Sequence, residues 1–488
     1  HRIHPSAAPG FAIAISGRRC RRAVSRSVCW ASIAETTRRQ RRVRSRLSTF
    51  RTIGNPARVA DSPVGAGSGD AVTCEMHIQA PKETRVGAAA PVPPLCLLAA
   101  DFPPGLGGIQ TLTAEVYTRL ADITELIVAP GQPGARAWDA AHPALPVRRL
   151  RSVPGGWSAT LRFAAQAVAC LRRQGLCRAD AVLHCNNLTA AYIGWWLHVS
   201  AGWRYVAWVH GEDVLRTRAP RFTRRVLAGA ELVLTNSAFT QRAVLRLLPA
   251  GHSGSVAVVA LGVADAFLGD APCAGAAAAR QALCPPGVPL LLSVARLSRR
   301  DRYKGVDMAL RALAEVRRTG RQFRHVVVGA GNDREPLQRL ADELGLHDLV
   351  LFEGAVSSSR LLELYDACDL FLLPGREDPG GGAEGFGLVF LEAAARRKAV
   401  VAGQAGGAPE AVVDGVTGLL VDPRSATAIA AAVQRLCDEP ELTRRLGEQG
   451  RARVLREFTW AQVADRVRAL HAALAAGPRQ VKSKVQGS

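Results

Sequence analysis

The stretch "DLFLLPGREDPGGGAEGFGLVFLEAAARR", residues 369–397, decides the fold class of this chain. Its apolar run at 369–375 predicts a buried strand, its glycine-rich middle predicts a loop, and the residues at 387–398 predict a helix. A strand that leads directly into a helix is the unit of a parallel α/β sheet. Two glutamates, Glu384 and Glu392, stand out because a carboxylate among apolar residues is costly unless something bonds to it.

The same alternation of strand and helix runs along most of the chain. In the first half, apolar runs predict strands at 95–100, 125–130, 180–185, 204–210, 231–237 and 255–260. In the second half, they predict strands at 290–295, 324–331, 349–354, 369–375, 399–403 and 417–421. We therefore predict an α/β fold with two Rossmann-like, doubly wound domains that face each other across a cleft.

Breaks in this pattern predict the domain boundaries. An Ala-, Gly- and Pro-rich stretch at 265–288 predicts an interdomain linker. The other predicted segments are an upstream segment at 1–75, a flexible leader at 76–93, an N-terminal domain at 94–264, a C-terminal domain at 289–458, a helix crossing back to the N-terminal domain at 459–475 and a flexible tail at 476–488.

The charge of the chain is unevenly distributed. Residues 1–75 carry 14 Arg and 4 acidic residues, a net +10 of the total +22, and show no helical or strand periodicity. The first methionine is Met76, so we expect translation to start there and the upstream stretch to be misannotated. A basic disordered arm or a transit peptide is the alternative. Because much of the charge lies in this stretch, we expect no nucleic-acid partner.

Composition also limits the cellular setting. The 11 cysteines are scattered without zinc-ligand spacing, which favours free thiols in a reducing cytosol. No apolar run reaches the length of a membrane-spanning helix, and no secretory signal follows Met76. We therefore expect a cytoplasmic protein.

Two cations flank a strand–loop–helix junction in "SVARLSRRDRYKG". Arg296 follows a predicted strand and Lys304 precedes the next helix, an arrangement that suits a diphosphate. Lysine is rare here, five residues among 63 basic ones, which singles out Lys304. The alternative is that these cations are ordinary solvated residues, as we expect for Arg299, Arg300 and Arg302.

The opening stretch provides a second candidate site. Backbone N–H groups at the start of its helix favour an anion. Glu384 is better placed to accept hydrogen bonds from sugar hydroxyls, and Glu392 to accept both hydroxyls of a ribose. The alternative is that Glu384 caps the helix and Glu392 pairs with Arg396 at i+4. The predicted binding residues of this stretch are Glu384, Gly385, Phe386, Gly387 and Glu392.

Three weaker candidates lie at other strand ends. Gly329 and Gly331 follow a strand but lack the third glycine of a dinucleotide fingerprint. Gly107 and Gly108 would let the backbone approach a ligand, or form a plain turn between strand and helix. His210 ends a strand that faces the predicted cleft, although a lone histidine is more often structural.

These motifs resemble the retaining glycosyltransferases of family 4, which have the two-Rossmann GT-B fold. "EGFGLVFLE" is similar to the family's E-x7-E signature, "ARLSRRDRYKG" to its Arg/Lys phosphate pair, and "GGAPEAVVDGVTGLLV" (406–421) to the segment that comes after it. "DFPPGLGGIQ" and "WVHGEDV" resemble the bacterial phosphatidylinositol mannosyltransferase-like branch. The resemblance covers about residues 94–475.

The resemblance implies a function. The C-terminal domain would bind a nucleoside diphosphate sugar, GDP-mannose or a UDP-hexose, and the N-terminal domain a lipid or saccharide acceptor. Its catalytic residues would be His210, Arg296, Lys304 and Glu384. The cations would replace a metal, so no metal or other cofactor is expected, and the anomeric configuration would be retained.

Two alternative functions stay open at this point. A sugar-nucleotide epimerase shares the fold, and a basic non-enzymatic protein would bind a polyanion or a membrane. A milder form of the second is compatible with the enzyme, because "RAPRFTRR" (218–225) could seat the N-terminal domain on the inner face of the plasma membrane as a peripheral contact. An ordinary solvated helix face is the alternative for that segment.

Overall fold

The computed structural model describes residues 92–105, 107–151, 157–173, 181–217, 219–252 and 255–476. The predicted upstream segment at 1–75 lies outside the described residues, as do most of the predicted leader and tail. The described ranges contain two parallel sheets and the helices that pack on them.

The N-terminal domain is built on a parallel sheet with strand order β3-β2-β1-β4-β5-β6-β7. Its strands are β1 (Leu95–Leu98), β2 (Thr124–Pro130), β3 (Val147–Leu150), β4 (Val182–Cys185), β5 (Arg204–Val209), β6 (Leu232–Thr235) and β7 (Val256–Val258). The order reverses between β1 and β4, which is the crevice where doubly wound sheets bind ligands.

The C-terminal domain repeats this arrangement with the order β10-β9-β8-β11-β12-β13. Its strands are β8 (Leu290–Val294), β9 (Arg324–Val328), β10 (Val350–Gly354), β11 (Leu370–Leu373), β12 (Ala399–Gly403) and β13 (Gly418–Val421). The switch point lies between β8 and β11. The predicted fold class, two Rossmann-like doubly wound domains, is confirmed.

Helices cover both faces of the two sheets, which explains why most strands are apolar throughout. In chain order they are α1 (Gly108–Arg119), α2 (Ala135–Ala141), α3 (Trp157–Arg173), α4 (Leu188–Ala201), α5 (Gly211–Leu215), α6 (Pro220–Gly229), α7 (Ala238–Leu247), α8 (Ala276–Leu283), α9 (Val306–Arg318), α10 (Arg334–Glu343), α11 (Ser358–Ala367), α12 (Leu388–Ala395), α13 (Ala408–Ala411), α14 (Ala426–Asp438), α15 (Pro440–Glu457) and α16 (Trp460–Ala473).

The last helix, α16, packs on the N-terminal domain. Its buried residues Trp460, Val463 and Val467 share a core with β1. A buried hydrogen-bond chain adds to this contact, because His184 Nε2 lies 3.0 Å from His471 Nδ1. Helix α16 thus braces the N-terminal domain.

Several elements differ from the sequence predictions. The predicted linker at 265–288 contains α8, whose Ala276 and Ala279 are buried. The helix after Lys304 begins at Val306, and a 3-10 turn, Arg299–Lys304, precedes it. Gly305 joins the two at φ 80°, and a Cβ there would lie 2.1 Å from the carbonyl oxygen of Pro374. This close approach holds the loop after β8 against the loop after β11.

Candidate active site

Lys304 and Glu384 form an ion pair at the centre of the candidate site. Lys304 Nζ donates to Glu384 Oε2 at 2.7 Å, and the two side chains are only 18% and 17% exposed. Burial alone would lower the pKa of the ammonium, but the carboxylate of Glu384 raises it above its ordinary value. The two groups were predicted for separate roles, on diphosphate and on sugar, and the fold places them in direct contact.

Arg296 is the more accessible cation of the same loop. Its Nε and Nη2 donate to Asp301 at 2.7 and 3.2 Å, and its Nη2 lies 4.0 Å from Glu212 of the N-terminal domain. The side chain of Asp301 is buried, whereas that of Arg296 is 62% exposed. The buried carboxylate therefore orients a guanidinium whose remaining N–H groups are available to an anion.

Arg302 is a correction to the expectation of a solvated residue. Its Nε and Nη2 donate to the two oxygens of Asp333 at 2.7 and 2.6 Å. The side chain of Asp333 is buried, so the bidentate pair fixes the turn that carries Lys304.

The glycine-rich loop after β11 lies against the N-terminal domain. A Cβ on Gly211 would lie 3.1 Å from the Cα of Gly385, so the two backbones pack closely at this point. Gly387 precedes α12 with φ 100°. The side chain of Phe386, predicted to contact the ligand, is instead buried against Phe458, at 5.8 Å between ring centroids.

Glu392 is bonded to Tyr365 rather than to Arg396. The Tyr365 hydroxyl donates to Glu392 Oε2 at 2.9 Å. The alternative interpretation of an i+4 pair is wrong, since Arg396 donates instead to the buried Asp366 at 2.6 and 3.0 Å. Burial raises the pKa of Glu392 to about 7, although the hydrogen bond from Tyr365 lowers this pKa in part. Within the described residues, no cationic side chain pairs with the Glu392 carboxylate.

This raised pKa predicts a pH-dependent stability. Between the ordinary pKa of 4.5 and about 7, the folded state binds more protons than the unfolded state, so stability falls as pH rises through this window and is level above it. Glu392→Gln is expected to raise the free energy of unfolding by about 1–3 kcal/mol at pH 8 and to leave it unchanged near pH 4. Urea unfolding at the two pH values measures this, and equal effects at both would contradict it.

The weaker candidates occupy different surroundings. His210 Nε2 lies 3.1 Å from the carbonyl oxygen of Asn186, so this nitrogen carries the hydrogen and donates it. A side chain at Gly108 would meet no atom within 4 Å, whereas Cβ atoms at Gly329 and Gly331 would strike the backbone of Ala295 and Leu297. Close backbone packing therefore explains why Gly329 and Gly331 are glycines, without any ligand.

Sequence reasoning missed the residues that join the two domains. Glu410 of α13 accepts hydrogen bonds from the backbone N–H groups of Ala238 and Phe239, at 2.6 and 2.7 Å, at the start of α7. Arg216 donates to Glu212 and to the carbonyl oxygen of Arg300. Glu410 lies within "GGAPEAVVDGVTGLLV", but no local pattern in the sequence indicates its partner.

Two further features are absent from the described residues. No group of three or more His, Cys, Asp or Glu within them could hold a metal ion. Likewise, none of the helices described is both long and apolar enough to cross a bilayer. The expectation of a metal-independent reaction stays a prediction.

Two facing Rossmann-like domains, with cations at the switch point of the second, are the arrangement of the GT-B fold. The model of "Glycosyltransferase Family 4" matches residues 106–267, and that of "Glycosyl transferases group 1" matches residues 278–453. Over 374 residues, the chain is 31% identical to a GDP-mannose-dependent alpha-(1-6)-phosphatidylinositol monomannoside mannosyltransferase from Mycolicibacterium smegmatis, covering 75% of this chain and 95% of the relative. The chain belongs to glycosyltransferase family 4 and is a transferase enzyme.

Other relatives and structures agree with this assignment. A D-inositol 3-phosphate glycosyltransferase from Corynebacterium aurimucosum is 30% identical over 310 residues, 60% of this chain and 71% of that protein. The structure of Anabaena HepE in complex with UDP superposes with a TM-score of 0.65 at 21% identity, covering 78% of this chain and 100% of the other. WaaG, a glycosyltransferase involved in lipopolysaccharide biosynthesis, gives a TM-score of 0.56 at 16% identity, covering 77% and 99%. These two likenesses show the fold.

Proposed function

We propose that this chain transfers a hexosyl group from a nucleoside diphosphate hexose to a hydroxyl group of an acceptor. The acceptor is a lipid or, as the alternative, a saccharide. The observation that carries the proposal is the Lys304–Glu384 pair, 2.7 Å apart, beside the exposed guanidinium of Arg296. A cation bound to a carboxylate can exchange part of that contact for a phosphate, while the carboxylate turns to sugar hydroxyls.

The proposed reaction assigns one task to each residue. The bond from the sugar C1 to the diphosphate oxygen breaks, and Arg296 and Lys304 neutralise the charge that develops on the diphosphate. The acceptor oxygen bonds to C1 from the same face, its proton passes to the departing phosphate oxygen, and the anomeric configuration is retained. Glu384 holds the sugar hydroxyls and His210 lies near the reacting carbon.

Glu392 and the glycine-rich loop complete the proposed donor site. Burial raises the pKa of the Tyr365 phenol well above its ordinary value, so it stays protonated and donates to one oxygen of Glu392. The other oxygen is left for the ribose hydroxyls. The amides of Gly385 and Gly387 lie at the start of α12, where a helix favours the negative phosphates.

The relatives suggest which substrates to test first. One of them is named for GDP-mannose and phosphatidylinositol monomannoside, and another for D-inositol 3-phosphate. We therefore propose GDP-mannose as the first donor and an inositol-containing lipid as the first acceptor. The relatives and structures reported above are not named for an epimerase or for a non-enzymatic function.

Donor binding is expected to be visible as a thermal shift. GDP-mannose, UDP-glucose, UDP-galactose and UDP-N-acetylglucosamine would each be titrated against the full chain, and we expect one at a hundredfold excess over its Kd to stabilise it by about 3 kcal/mol. Arg296→Gln should lose most of this shift, while Arg311→Gln, at an exposed position of α9, should keep it. If none of the four donors shifts the transition, the donor site is wrong.

A lipid acceptor would require the enzyme to work at a membrane surface. We propose a peripheral contact at the cytoplasmic face, made by the N-terminal domain, because we assign the acceptor to that domain.

A further inference from the structure

Helices α4 and α6 form one continuous surface of the N-terminal domain. The rings of Tyr192 and Phe222 stack at 5.1 Å between centroids, and Trp195 meets Phe222 edge-on at 5.2 Å. The Tyr192 hydroxyl also lies 3.0 Å from Thr223 Oγ1. Side chains of the two helices therefore interlock, and their outer sides make a single face.

The outer side of this pair is unusually apolar. Helix α4, "LTAAYIGWWLHVSA", carries no Asp, Glu, Lys or Arg, and its polar residues are Thr189, His198 and Ser200. Its inner side packs in the core, but Trp196 is 47% and Val199 58% exposed, and Phe222 on α6 is 38% exposed. Trp196 and Phe222 are the two aromatic residues among the exposed large apolar side chains of the described residues. These three apolar side chains are therefore left in contact with solvent.

Positive charge borders the same face. Helix α6 carries Arg221, Arg224 and Arg225, all exposed, and neither α4 nor α6 contains an acidic residue. Within the described ranges, none of these three arginines makes an ion pair or hydrogen bond, whereas Arg149 and Arg204 in the same domain are bound to carboxylates. Aromatic rings beside unpaired cations are the composition of a surface that lies on anionic lipid.

We propose that this α4–α6 face, made of Trp196, Val199 and Phe222 with Arg221, Arg224 and Arg225, seats the N-terminal domain on an anionic phospholipid bilayer. The rings enter the headgroup region, and the arginines contact lipid phosphates. The inference rests on the proposed function in one respect: an enzyme that uses a lipid acceptor must reach that acceptor at a membrane. Complementary charge favours this occupant, because the face offers three unpaired cations and no carboxylate to a partner.

Vesicle sedimentation with the full chain tests the face. We expect binding to phosphatidylcholine vesicles that contain phosphatidylglycerol, and much weaker binding to phosphatidylcholine alone. The triple variant Arg221→Gln, Arg224→Gln, Arg225→Gln should lower the partition coefficient by about fivefold for each arginine. Trp196→Ala with Phe222→Ala should lower it by about tenfold or more, because less apolar surface is buried in the headgroup region.

Matched variants on the C-terminal domain control for charge and apolar area. Arg311→Gln, Arg318→Gln and Arg339→Gln remove three exposed arginines of α9 and α10, and Leu455→Ala removes an apolar side chain that is 43% exposed. Neither control should change vesicle binding. If these controls lower it as much as the α4–α6 variants do, or if the wild-type chain does not bind anionic vesicles, the proposal is wrong.

A second measurement reports on the face itself, since residues 1–75 are also basic. Brominated phosphatidylglycerol quenches tryptophan that enters a bilayer, and we expect this quenching to fall in Trp196→Phe. If the chain binds the vesicles but Trp196→Phe does not reduce the quenching, the proposal is wrong. Another surface of the chain would then bind the lipid, and the α4–α6 face would be left for a protein partner. Transfer to a soluble acceptor should be unchanged in the face variants. If vesicles bind through this face but no donor supports transfer, the proposed function fails and the face stands.

Discussion

Replacing Lys304 by methionine is expected to lower the rate of hexosyl transfer by about a thousandfold or more. The ammonium would stabilise charge on the departing diphosphate, and methionine keeps the volume of the side chain without its charge. The effect should fall on kcat at saturating donor more than on KM, because the charge develops mainly in the transition state. Initial rates measured with a labelled donor give both quantities.

The stability of this variant needs its own control, because Glu384 then loses the cation 2.7 Å away. We expect Lys304→Met alone to lower the free energy of unfolding by about 2 kcal/mol. The double variant Lys304→Met, Glu384→Gln should recover most of that loss and stay inactive. A wild-type rate in the single variant would remove Lys304 from the proposed mechanism.

Replacing Arg396 by methionine is expected to lower the free energy of unfolding by about 3–5 kcal/mol. Both side chains of the Arg396–Asp366 pair are only 3% exposed. The guanidinium also donates to the carbonyl oxygens of Phe267 and Ala271, in the segment that joins the two domains. Its loss leaves a buried carboxylate and several acceptors without a partner.

Urea unfolding measures the effect of Arg396→Met. Arg435→Met removes the exposed i+4 pair with Glu439 and should change stability by less than about 1 kcal/mol. Adding Asp366→Asn to Arg396→Met should recover part of the loss, because the unpaired charge is removed. A change as small as that of the control would mean that Arg396 does not anchor the interdomain segment.

The sequence predicted the strands whose side chains are apolar on both faces, because such runs are distinctive. It missed β3, "VRRL", an edge strand that carries two arginines and therefore lacks an apolar run. It also missed α5, whose five residues are too few to show a helical period. Short or edge elements depend on their neighbours for stability, and a local pattern does not contain those neighbours.

The candidate site was predictable in position but not in its contacts. Residues at the carboxyl ends of parallel strands share one edge, so grouping Arg296, Lys304 and Glu384 followed from strand order. The pairing of Lys304 with Glu384 spans 80 residues, and no local pattern indicates it. Arg396 shows the opposite failure, since i+4 spacing suggested Glu392, but α12 ends at Ala395 and the side chain reaches Asp366.

The central claim is that this chain moves a hexosyl group from a nucleoside diphosphate sugar. The most direct measurement incubates the full chain with GDP-mannose labelled in the sugar and with inositol-containing lipid, and follows the label into the lipid phase. We expect label to appear in a glycolipid with the anomeric configuration of the donor, and to be lost with Lys304→Met. No labelled product from GDP-mannose or the three UDP-sugars, with lipid or saccharide acceptors, would contradict the account.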